Sequence, residues 1–570
     1  MSRNSCSFFL SILFLIQFLG LPVFSQTIPA GFPVLEELAR RKNLLGLDSM
    51  DYSFSLRPVR LGEWAAWDIS ALDEKGDSLV LDQNLPKKKE IRILPVLNTV
   101  LFNSNRPFGW GNSSLVNGAG FQSLTSPGVF LKFHFLEIQL RPEFILSQNN
   151  RFQGFTGEFS DEINFSRFRY WNFGDHPEYF GKSFNRFSTF GQSYASLHFG
   201  KIEMGVGTQN LWWGPGQFSG LIFTNNARGI PHAFLRTSAP VNIGLGKLEG
   251  QIIVGKAEDS GLSPTQNDAL NNQYFLKFSG DRRYINGISL TFQPKFLKNI
   301  FVGFNRTFQQ YESQVQNTFE GRFPIFEAFQ KERFFENGNT VLYDDIAQDQ
   351  QVSVFFKYRG IKGKFEVYAE YGKHDHSLNW REFILNPEHA RAYLMGFSKL
   401  FALSKGQEFI QIRGEIIQQS ESINRYIRYP ELGVSNTSWH THYQVRGFTN
   451  FGESMGSGIG VGSNAQIFEI SKVRGANKIG LILKRIENNK DFYMRAADLD
   501  PSIKPWVDFS SGIVWDQKIN NLIISTNALL INGVNYQWKS NPGSIIGINS
   551  RNNLRTFSGG VHLIYFFSGK

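Results

Sequence analysis

Alternation of apolar and polar residues dominates the chain from about Glu90 onward. Residues 352–359 place valine and aromatic side chains at even positions and mostly polar or charged side chains at odd positions. Gly360 marks a turn, and residues 365–372 alternate again. A period of two predicts a hairpin with one apolar face and one charged face. Similar hairpins are predicted around Val129–Leu146, Ala195–Val206 and Gly396–Ile416.

The number and length of these segments predict a large closed sheet. Roughly eighteen to twenty segments of about 9–11 residues alternate in this way, which suits tilted strands that cross a bilayer. A soluble sandwich or propeller would also alternate. The strongly charged polar face and the final aromatic strand, Val561–Phe567, favour the membrane instead. We therefore predict an all-β fold, a large antiparallel transmembrane β-barrel of about 18 strands, over residues 91–570.

The connections between the predicted strands differ sharply in length. Some have only a few residues, whereas four long ones are predicted near 147–190, 307–349, 421–440 and 534–555. Short turns on one side and long loops on the other are typical of outer-membrane barrels. The predicted location is the cell outer membrane.

Residues 1–25 have the features of a signal peptide. Arg3 supplies the positive charge, Phe8–Leu21 is the apolar core, and cleavage before Gln26 is predicted. Cys6, the one cysteine of the 570 residues, lies in this segment. The mature chain is therefore expected to have no disulfide.

Residues 26–90 lack the strand alternation and are predicted to form a partly helical periplasmic or plug region. Pro33–Ala39 begins a short amphipathic helix that Gly46 ends. Leu61–Ile69 is predicted to form a second helix or a turn, and Pro86–Lys89 a basic linker.

Composition narrows the choice of fold and partner. Mean hydropathy is −0.25, which excludes a bundle of membrane helices but not a barrel, because only alternate barrel residues face lipid. After the signal peptide, the chain has no apolar run of about 18 residues that predicts a spanning helix. The net charge of +10 favours acidic polymers as ligands, and export makes nucleic acid an unsuitable partner.

One stretch, Gln209–Pro240, breaks the alternation. Gly and Pro interrupt it too often for a long strand or helix, yet it is too rich in Trp, Phe, Leu and Ile for a solvated linker. Aromatic faces pack on the C–H groups of sugars, and amides and guanidinium groups match hydroxyls and carboxylates. The candidate glycan-binding residues are Trp212, Trp213, Asn225, Asn226 and Arg228, with Trp439 and His440 from a later stretch. The alternative is that the tryptophans pack the loop into the lumen and the asparagines cap turns.

Several stretches carry a family resemblance. They are LWWGPGQFSGLIFTNNARGIPHAFLRTSAP, NTVLFNSNRPFGWGNSSLVNGAGFQSLTSPGVFLKFHFLEIQLRPEF, VYAEYGKHDHSLNW, NPEHARAYLMGFSKLF and SWHTHYQVRGFTNFGESMGSGIG. Together they cover most of residues 90–490, and they resemble the Wzi-type capsule assembly family of the Gram-negative outer membrane. The resemblance implies an eighteen-stranded barrel with a helical plug at the periplasmic end. It also implies a lectin-like, non-catalytic role in holding newly exported capsular polysaccharide at the cell surface.

A porin-like channel or a polysaccharide translocation component is the alternative function. A channel needs an open lumen, whereas a lectin can be plugged by loops and helices. The expected partners are capsular or other surface polysaccharide, outer-membrane lipid and the polysaccharide export machinery. A monomer is expected because barrel closure removes the sheet edges.

Three motifs suggest chemistry, but other interpretations are favoured. Gly452–Gly456 matches G-x-S-x-G, yet residues 457–462 alternate glycine and aliphatic residues and are predicted to be strand-like. A nucleophile elbow needs a following helix. His440-Thr-His442 and His374-Asp-His376 each place two imidazoles on one strand face, but the sequence offers no third metal ligand.

Carboxylates are the last candidates for catalysis. Asp344–Asp345 and the wall carboxylates could form a glycosidase pair. The wall carboxylates Glu366, Glu370 and Glu415 alternate with the basic residues Lys357, Arg359 and Arg413, which predicts a charge-balanced barrel wall. We therefore predict no enzyme activity, no cofactor and no metal.

Overall fold

The structure is a computed structural model. It describes residues 26–47, 52–61, 89–278, 280–326, 348–374, 387–403, 408–422, 438–539 and 553–567. The predicted signal peptide, most of the predicted helix or turn over Leu61–Ile69, and most of the linker Pro86–Lys89 lie outside the described residues.

Eighteen antiparallel strands close into a barrel, which confirms the predicted fold class. Strand β18 pairs with β1, from Ser558 opposite Asn103 to Tyr565 opposite Val96, so closure leaves no open edge there. The strands are β1 (Lys89–Asn103), β2 (Gly120–Phe133), β3 (Leu136–Leu140 and Glu143–Ser147), β4 (Asn185–Thr189 and Tyr194–Phe199), β5 (Ile202–Gly207), β6 (His232–Thr237 and Val241–Asn242), β7 (Gly246–Ala257), β8 (Arg283–Pro294), β9 (Ile300–Tyr311), β10 (Asp349–Gly360), β11 (Phe365–His374), β12 (Arg391–Ala402), β13 (Glu408–Gln418), β14 (Asn464–Arg474), β15 (Asn477–Glu487), β16 (Val507–Ile519), β17 (Leu522–Val534) and β18 (Leu554–Tyr565).

Proline and glycine break three of these strands into two segments each. Pro142 lies in the break of β3 and Pro240 in that of β6, where a missing backbone N–H removes a ladder hydrogen bond. Gly191, at φ +55°, lies in the break of β4. Pro95 lies where the β1–β2 register shifts, and its carbonyl accepts a hydrogen bond from Arg141 at 2.9 Å. The irregular part of the wall therefore lies around β1 to β6.

The two faces of the strands have the predicted polarity. In the β10–β11 hairpin, Val354 and Phe356 are exposed on the outside, whereas Lys357 and Arg359 are buried inside. The β12–β13 hairpin likewise exposes Ile416 and buries its charged neighbours. An apolar outer face and a charged inner face are what a membrane barrel requires.

The connections alternate between two ends of the barrel. Short turns at 134–135, 200–201, 243–245, 295–299, 361–364, 403–407, 475–476 and 520–521 define what we term the short-turn end. The long-loop end carries 104–119, 148–184, 208–231, 258–282, 312–348, 375–390, 419–463, 488–506 and 535–553. The long loop predicted at 421–440 is in fact 419–463, because residues 455–463 form no strand.

In the part of the chain that the structure describes, the helices lie outside the barrel wall. They are α1 (Leu35–Leu44), α2 (Asp161–Asn172), α3 (Asp268–Tyr274), α4 (Phe319–Arg322) and α5 (Lys490–Leu499), with 3₁₀ turns at Glu312–Gln314, Pro324–Phe326 and Tyr536–Trp538. Among the described residues, no helix combines the length and apolarity needed to span a membrane.

Helices α2 and α5 pack together through aromatic side chains at the long-loop end. The guanidinium of Arg167 in α2 lies 5.6 Å from the centre of the Phe492 ring in α5. That ring meets Trp538 edge to face with centroids 4.7 Å apart, and Arg167 also lies 3.9 Å from the centre of the Trp171 ring. Edge-to-face rings and stacked cations add to the burial of apolar area. These loops therefore form an aromatic cap on one side of the barrel mouth.

The N-terminal segment enters the lumen. Helix α1 buries Leu35, Leu38 and Leu44, and Gly46 follows it at φ +74°, as the sequence predicts for a helix end. Two small sheets hold the surrounding chain: Gln26–Ile28 pairs with Val59–Leu61, and Leu56–Arg57 pairs with Trp212–Trp213.

Candidate functional site in the barrel lumen

Residues 208–231 fold into the barrel rather than away from it. Trp212 and Trp213 pair with Leu56 and Arg57, and residues 221–223 are buried in the central apolar cluster together with wall residues of several strands. A segment this rich in apolar side chains is stable only where they are buried. The lumen therefore contains two inserted pieces of chain, α1 with its neighbours and what we term the lumen loop, residues 208–231.

Trp213 is a packing residue of the lumen loop. It is fully buried, and its indole N–H donates to Gln251 of β7 at 3.0 Å. Its ring meets Phe223 edge to face at 4.9 Å and lies against Gly287 of β8, where a Cβ atom would come within 2.8 Å of it. Glycine in that wall position leaves room for the tryptophan.

Trp439 repeats this arrangement on another part of the wall. It is buried, and its ring lies against Gly372 of β11, where a Cβ atom would come within 2.6 Å. The sequence offers no sign of either pairing, because each tryptophan and its glycine are far apart in the chain and in different strands or loops.

Trp212 has a different environment. The guanidinium of Arg57 lies 4.0 Å from the centre of its ring, and within the described residues its buried indole N–H has no hydrogen-bond partner. A buried donor without a partner costs free energy unless a ligand or water accepts from it. Trp212 also lines the cavity described below.

Asn225 and Asn226 fasten the lumen loop to its neighbours. Asn225 donates to the Gly111 carbonyl at 2.7 Å. Asn226 accepts from the Gly111 N–H at 3.1 Å and donates to the Ser454 carbonyl at 2.9 Å. Both amides thus tie the loop to the connection 104–119, and Asn226 also ties it to the hairpin that contains Ser454.

Arg228 lies between two aromatic rings. Its guanidinium is 4.6 Å from the centre of Phe187 and 4.2 Å from that of Phe451. Burial lowers its pKa below the ordinary value, opposed by the carboxylate of Glu453. Burial in turn raises the pKa of Glu453 to about 8. The pair is a partly dehydrated cation and a carboxyl group at the mouth of the lumen.

His440 and His442 do not share one face, in contrast to the sequence prediction. Residues 438–442 form a turn rather than a strand, so the two rings diverge. His440 faces His176 with centroids 5.8 Å apart, whereas His442 faces His374 at the same distance. Burial, followed by the neighbouring histidines, holds the pKa of His440 well below its ordinary value.

The described residues contain no cluster of three or more side chains suited to bind a metal ion. His374 instead contacts Asp349, with Nε2 2.6 Å from Oδ1. His376 and Asp344–Asp345 lie outside the described residues.

Two of the three predicted wall carboxylates, Glu366 and Glu415, hold the inserted chain. The prediction of a charge-balanced wall is correct only for Glu366. Glu366 pairs with Lys357 at 2.8 Å and also with Arg40 of α1 at 2.7 Å. Glu415 instead accepts from the Gln217 N–H of the lumen loop at 2.7 Å. Glu370 accepts from a serine hydroxyl in β10, also at 2.7 Å.

Glu37 of α1 lies among three cations. Its carboxylate is 2.6 Å from Arg41, 3.2 Å from Arg413 and 2.8 Å from Lys478. Burial alone would raise its pKa, but Arg413, Lys478 and Arg41 together hold the pKa well below the ordinary value. None of the cations of residues 40–57 was predicted as a site residue, because adjacent arginines on a short helix also suit a solvated face.

The G-x-S-x-G motif does not form a nucleophile elbow. Ser454 ends a small hairpin in which Thr449–Asn450 pairs with Glu453–Ser454, and Gly452 lies in its turn at φ +82°. The strand-like conformation predicted for residues 457–462 is wrong, because these residues are irregular and largely buried in the lumen. No helix follows the serine, so the elbow geometry is absent from this part of the described chain.

A polar cavity of about 350 Å³ runs beside the inserted chain. It extends from α1 near the short-turn end to Gly111–Ser113 in a long connection, with Trp212 and Asn225 on one side. Charged and polar side chains also line it, namely Arg141, Glu143, Arg413, Lys478, Asp516 and His562. Its volume falls at the lower end of the range of small-ligand pockets, and its lining suits a hydroxyl-rich or acidic ligand.

A family model described as capsule assembly protein Wzi matches residues 138–502. A comparison with curated proteins gives no match.

Among solved structures, the chain is similar to Wzi of Escherichia coli, described as an outer-membrane protein involved in group 1 capsule assembly and a carbohydrate-binding β-barrel. The identity is 13%, the TM-score is 0.55, and the match covers 95% of this chain and 100% of that one. At this identity the likeness shows the fold.

Two other solved structures are more distant. A BenF-like porin from Pseudomonas fluorescens Pf-5 has 8% identity and a TM-score of 0.36, covering 84% of this chain and 99% of that one. OccAB3 of Acinetobacter baumannii has 7% identity and a TM-score of 0.38, covering 83% and 99%. Scores this low carry no argument for a channel.

Proposed function

This chain belongs to the Wzi family of capsule assembly proteins, and we propose that it binds and anchors capsular or other surface polysaccharide at the cell surface. In this role it is a lectin-like barrel of the outer membrane with no chemistry of its own. One observation carries the choice against a channel: the lumen loop and α1 occupy the lumen of a closed barrel. A lectin functions with a filled lumen, whereas a channel does not.

The exterior of the barrel supports the membrane location. Outward positions of β14 to β17 carry apolar side chains such as Phe468, Leu481, Ile513 and Leu530, all exposed. Lipid is the environment in which such a surface is stable. We place the long-loop end at the cell exterior and the short-turn end in the periplasm, as is usual for this class of barrel.

Within the proposed site, the candidate residues divide into two roles. Trp212 and Asn225 line the cavity, and Arg228 lies at the lumen mouth, so we assign glycan contact to these three. The other candidates are buried and do not line the cavity, so we assign them a packing role: Trp213, Asn226, Trp439 and His440.

The ligand class rests on the lining of the cavity and on the net charge of the chain. Cations and carboxylates both line the cavity, for example Arg141 and Lys478 with Glu143 and Asp516. Charged and polar side chains of both kinds form hydrogen bonds with hydroxyl groups. The net charge of +10 attracts anionic polymers over a longer range, so we propose a hydroxyl-rich, acidic polysaccharide.

The test measures polysaccharide in cells whose chromosomal copy of the gene is deleted and which carry a copy on a plasmid. The copies are the wild type, Trp212→Ala, Arg228→Ala and, as a matched control, Arg151→Ala, which removes an exposed arginine of a long connection. Surface-attached polymer and polymer released into the medium are measured separately, after heat-modifiable gel migration has shown that each variant folds.

Cells with the wild type or Arg151→Ala are expected to retain polymer, and cells without the protein to release it. Folded Trp212→Ala and Arg228→Ala variants are expected to retain less. Wild-type retention by both variants would refute the site assignment, and loss of polymer from both fractions would favour translocation over anchoring. Steady conductance of the wild-type protein in planar bilayers would favour the channel.

A further inference from the structure

A groove of about 1030 Å³ crosses the outer wall of the barrel over strands β14 to β18. It lies at the long-loop end, because the residues that line its upper part are within two positions of the strand ends there. It is separate from the lumen, since ten of its lining residues, in two rows, occupy the outward-facing positions of the strands, with buried residues such as Ile467 and Ile531 between them.

The strand register arranges its side chains in two rows. The row nearest the loops consists of Gln466, Arg485, Phe509, Asn532 and Arg555, each opposite the next across a strand pair. The second row, one pair further from the loops, consists of Phe468, Leu483, Ser511, Leu530 and Phe557. The first row is mostly polar with a cation near each end, and the second is apolar except at its centre.

Small side chains deepen the groove. Ser511 lies between Leu483 and Leu530 in the second row, and Ala528 and Gly559 lie opposite each other in β17 and β18 one step further from the loops. Large neighbours, Phe468 and Phe557, stand at the two sides and are exposed. The groove is therefore an apolar trough with a polar upper edge.

The two arginines carry net positive charge at that edge. Arg485 donates to the side-chain carbonyl of Gln466 at 3.1 Å, which leaves other guanidinium N–H groups for a ligand. Glu487, the nearest carboxylate along β15, pairs with Lys490 at 3.3 Å. Within the described residues, neither Arg485 nor Arg555 forms an ion pair with a carboxylate.

We propose that this groove binds a membrane glycolipid that has several acyl chains and two separate phosphate groups. The acyl chains lie in the trough, and the phosphates accept charge-assisted hydrogen bonds from Arg485 and Arg555. The site is distinct from the lumen site and does not depend on the proposed function.

The distance between the two arginines favours a lipid with two separate phosphate groups. Adjacent strands lie about 4.8 Å apart, so Arg485 on β15 and Arg555 on β18 are separated by roughly 14 Å along the wall. The single phosphate of a glycerophospholipid reaches one of them, whereas phosphates at the two ends of a disaccharide headgroup reach both. The trough spans five strands, about 19 Å, which accommodates several acyl chains side by side.

The experiment measures lipid binding to the full-length protein in detergent by native mass spectrometry and by the shift of the unfolding temperature. The probes are rough-type lipopolysaccharide, the same lipid after phosphatase treatment, and phosphatidylglycerol. The proteins are the wild type, the double variant Arg485→Gln/Arg555→Gln and the control Arg186→Gln, which removes an exposed arginine at the same end of β4.

We expect the wild type and Arg186→Gln to bind lipopolysaccharide more tightly than either other lipid. The double variant should bind it at least roughly tenfold more weakly, since each charge-assisted hydrogen bond is worth about that factor. Equal binding by the double variant and the wild type would overturn the proposal. If the wild type bound dephosphorylated lipid or phosphatidylglycerol as tightly as lipopolysaccharide, the proposal would also be overturned. These two measurements use only the wild type, so they do not depend on whether the double variant folds.

Discussion

The guanidinium of Arg57 lies 4.0 Å from the centre of the Trp212 ring, and the two residues are also paired across a two-residue sheet. The same guanidinium bonds to Glu36 at 2.6 Å and to the Gly216 carbonyl at 2.8 Å. One buried arginine therefore connects α1, the lumen loop and an aromatic ring. Together with Arg40, which donates to the Pro215 carbonyl at 2.7 Å, it joins the two inserted pieces of chain.

Replacement of Arg57 should weaken the junction between these pieces. Arg57→Ala leaves Glu36 without its cation and removes the hydrogen bonds from the guanidinium to the Gly214 and Gly216 carbonyls. We therefore expect a loss of about 3 kcal/mol or more in the free energy of unfolding. Arg57→Lys should lose less, because it keeps the charge but not the forked geometry. Denaturant unfolding in detergent measures both. Equal stability of the wild type and Arg57→Ala would contradict the inferred connection.

Glu37 predicts a dependence on acid. The pKa of its carboxyl is depressed in the folded state, so its contribution is complete above the unfolded value of about 4.5 and is lost as the pH falls toward the folded value. In Glu37→Gln this contribution is absent at every pH. Unfolding of the two proteins between pH 2.5 and 7 should therefore show a stability gap that narrows as the pH is lowered. A gap that stays constant would show that Glu37 does not act through its charge.

Glu178, in the connection 148–184, should behave in the opposite way. Burial raises its pKa to about 7, although the backbone N–H groups of Phe155 and Gln266 oppose this shift. A raised pKa means that stability is complete below the unfolded value and falls as the pH rises to about 7. Glu178→Gln should remove up to about 3 kcal/mol of this pH dependence. Identical pH profiles of thermal unfolding for Glu178→Gln and the wild type would refute a role of Glu178 in the pH dependence of stability.

The contact between Trp213 and Gly287 predicts coupled substitutions. Gly287→Ala places a methyl group against the ring and should destabilise the barrel by about 1–3 kcal/mol. Trp213→Leu should cost about as much or more, since it leaves a cavity and the Gln251 carbonyl without its donor. The double variant should cost less than the sum, because the smaller side chain accommodates the new methyl group. Additive costs in denaturant unfolding would show that the two residues do not contact each other.

The barrel wall could be predicted because each strand and turn is determined by residues that are neighbours in the chain. In 352–359 the alternation alone determines which side chains face lipid, and Gly360 indicates the turn that follows. Pro142 and Pro240 are signals of the same local kind, since each lies where a strand is broken.

The arrangement of the lumen could not be predicted because its contacts join distant residues. The composition of Gln209–Pro240 shows that the stretch must be buried, but not that Gly287 and Arg57 provide its surroundings. The pairing of His440 with His442 was wrong because a turn at 438–442 replaced the expected strand.

The two inserted pieces differ in how they are attached to the wall. Residues 26–61 precede β1 in the chain, whereas the lumen loop is joined to β5 at Gly207 and to β6 at His232. A segment joined to a strand at each end can only change shape where it lies. Deletion of residues 26–61 would thus leave the lumen loop inside the barrel, and an open lumen would also require the loop itself to rearrange.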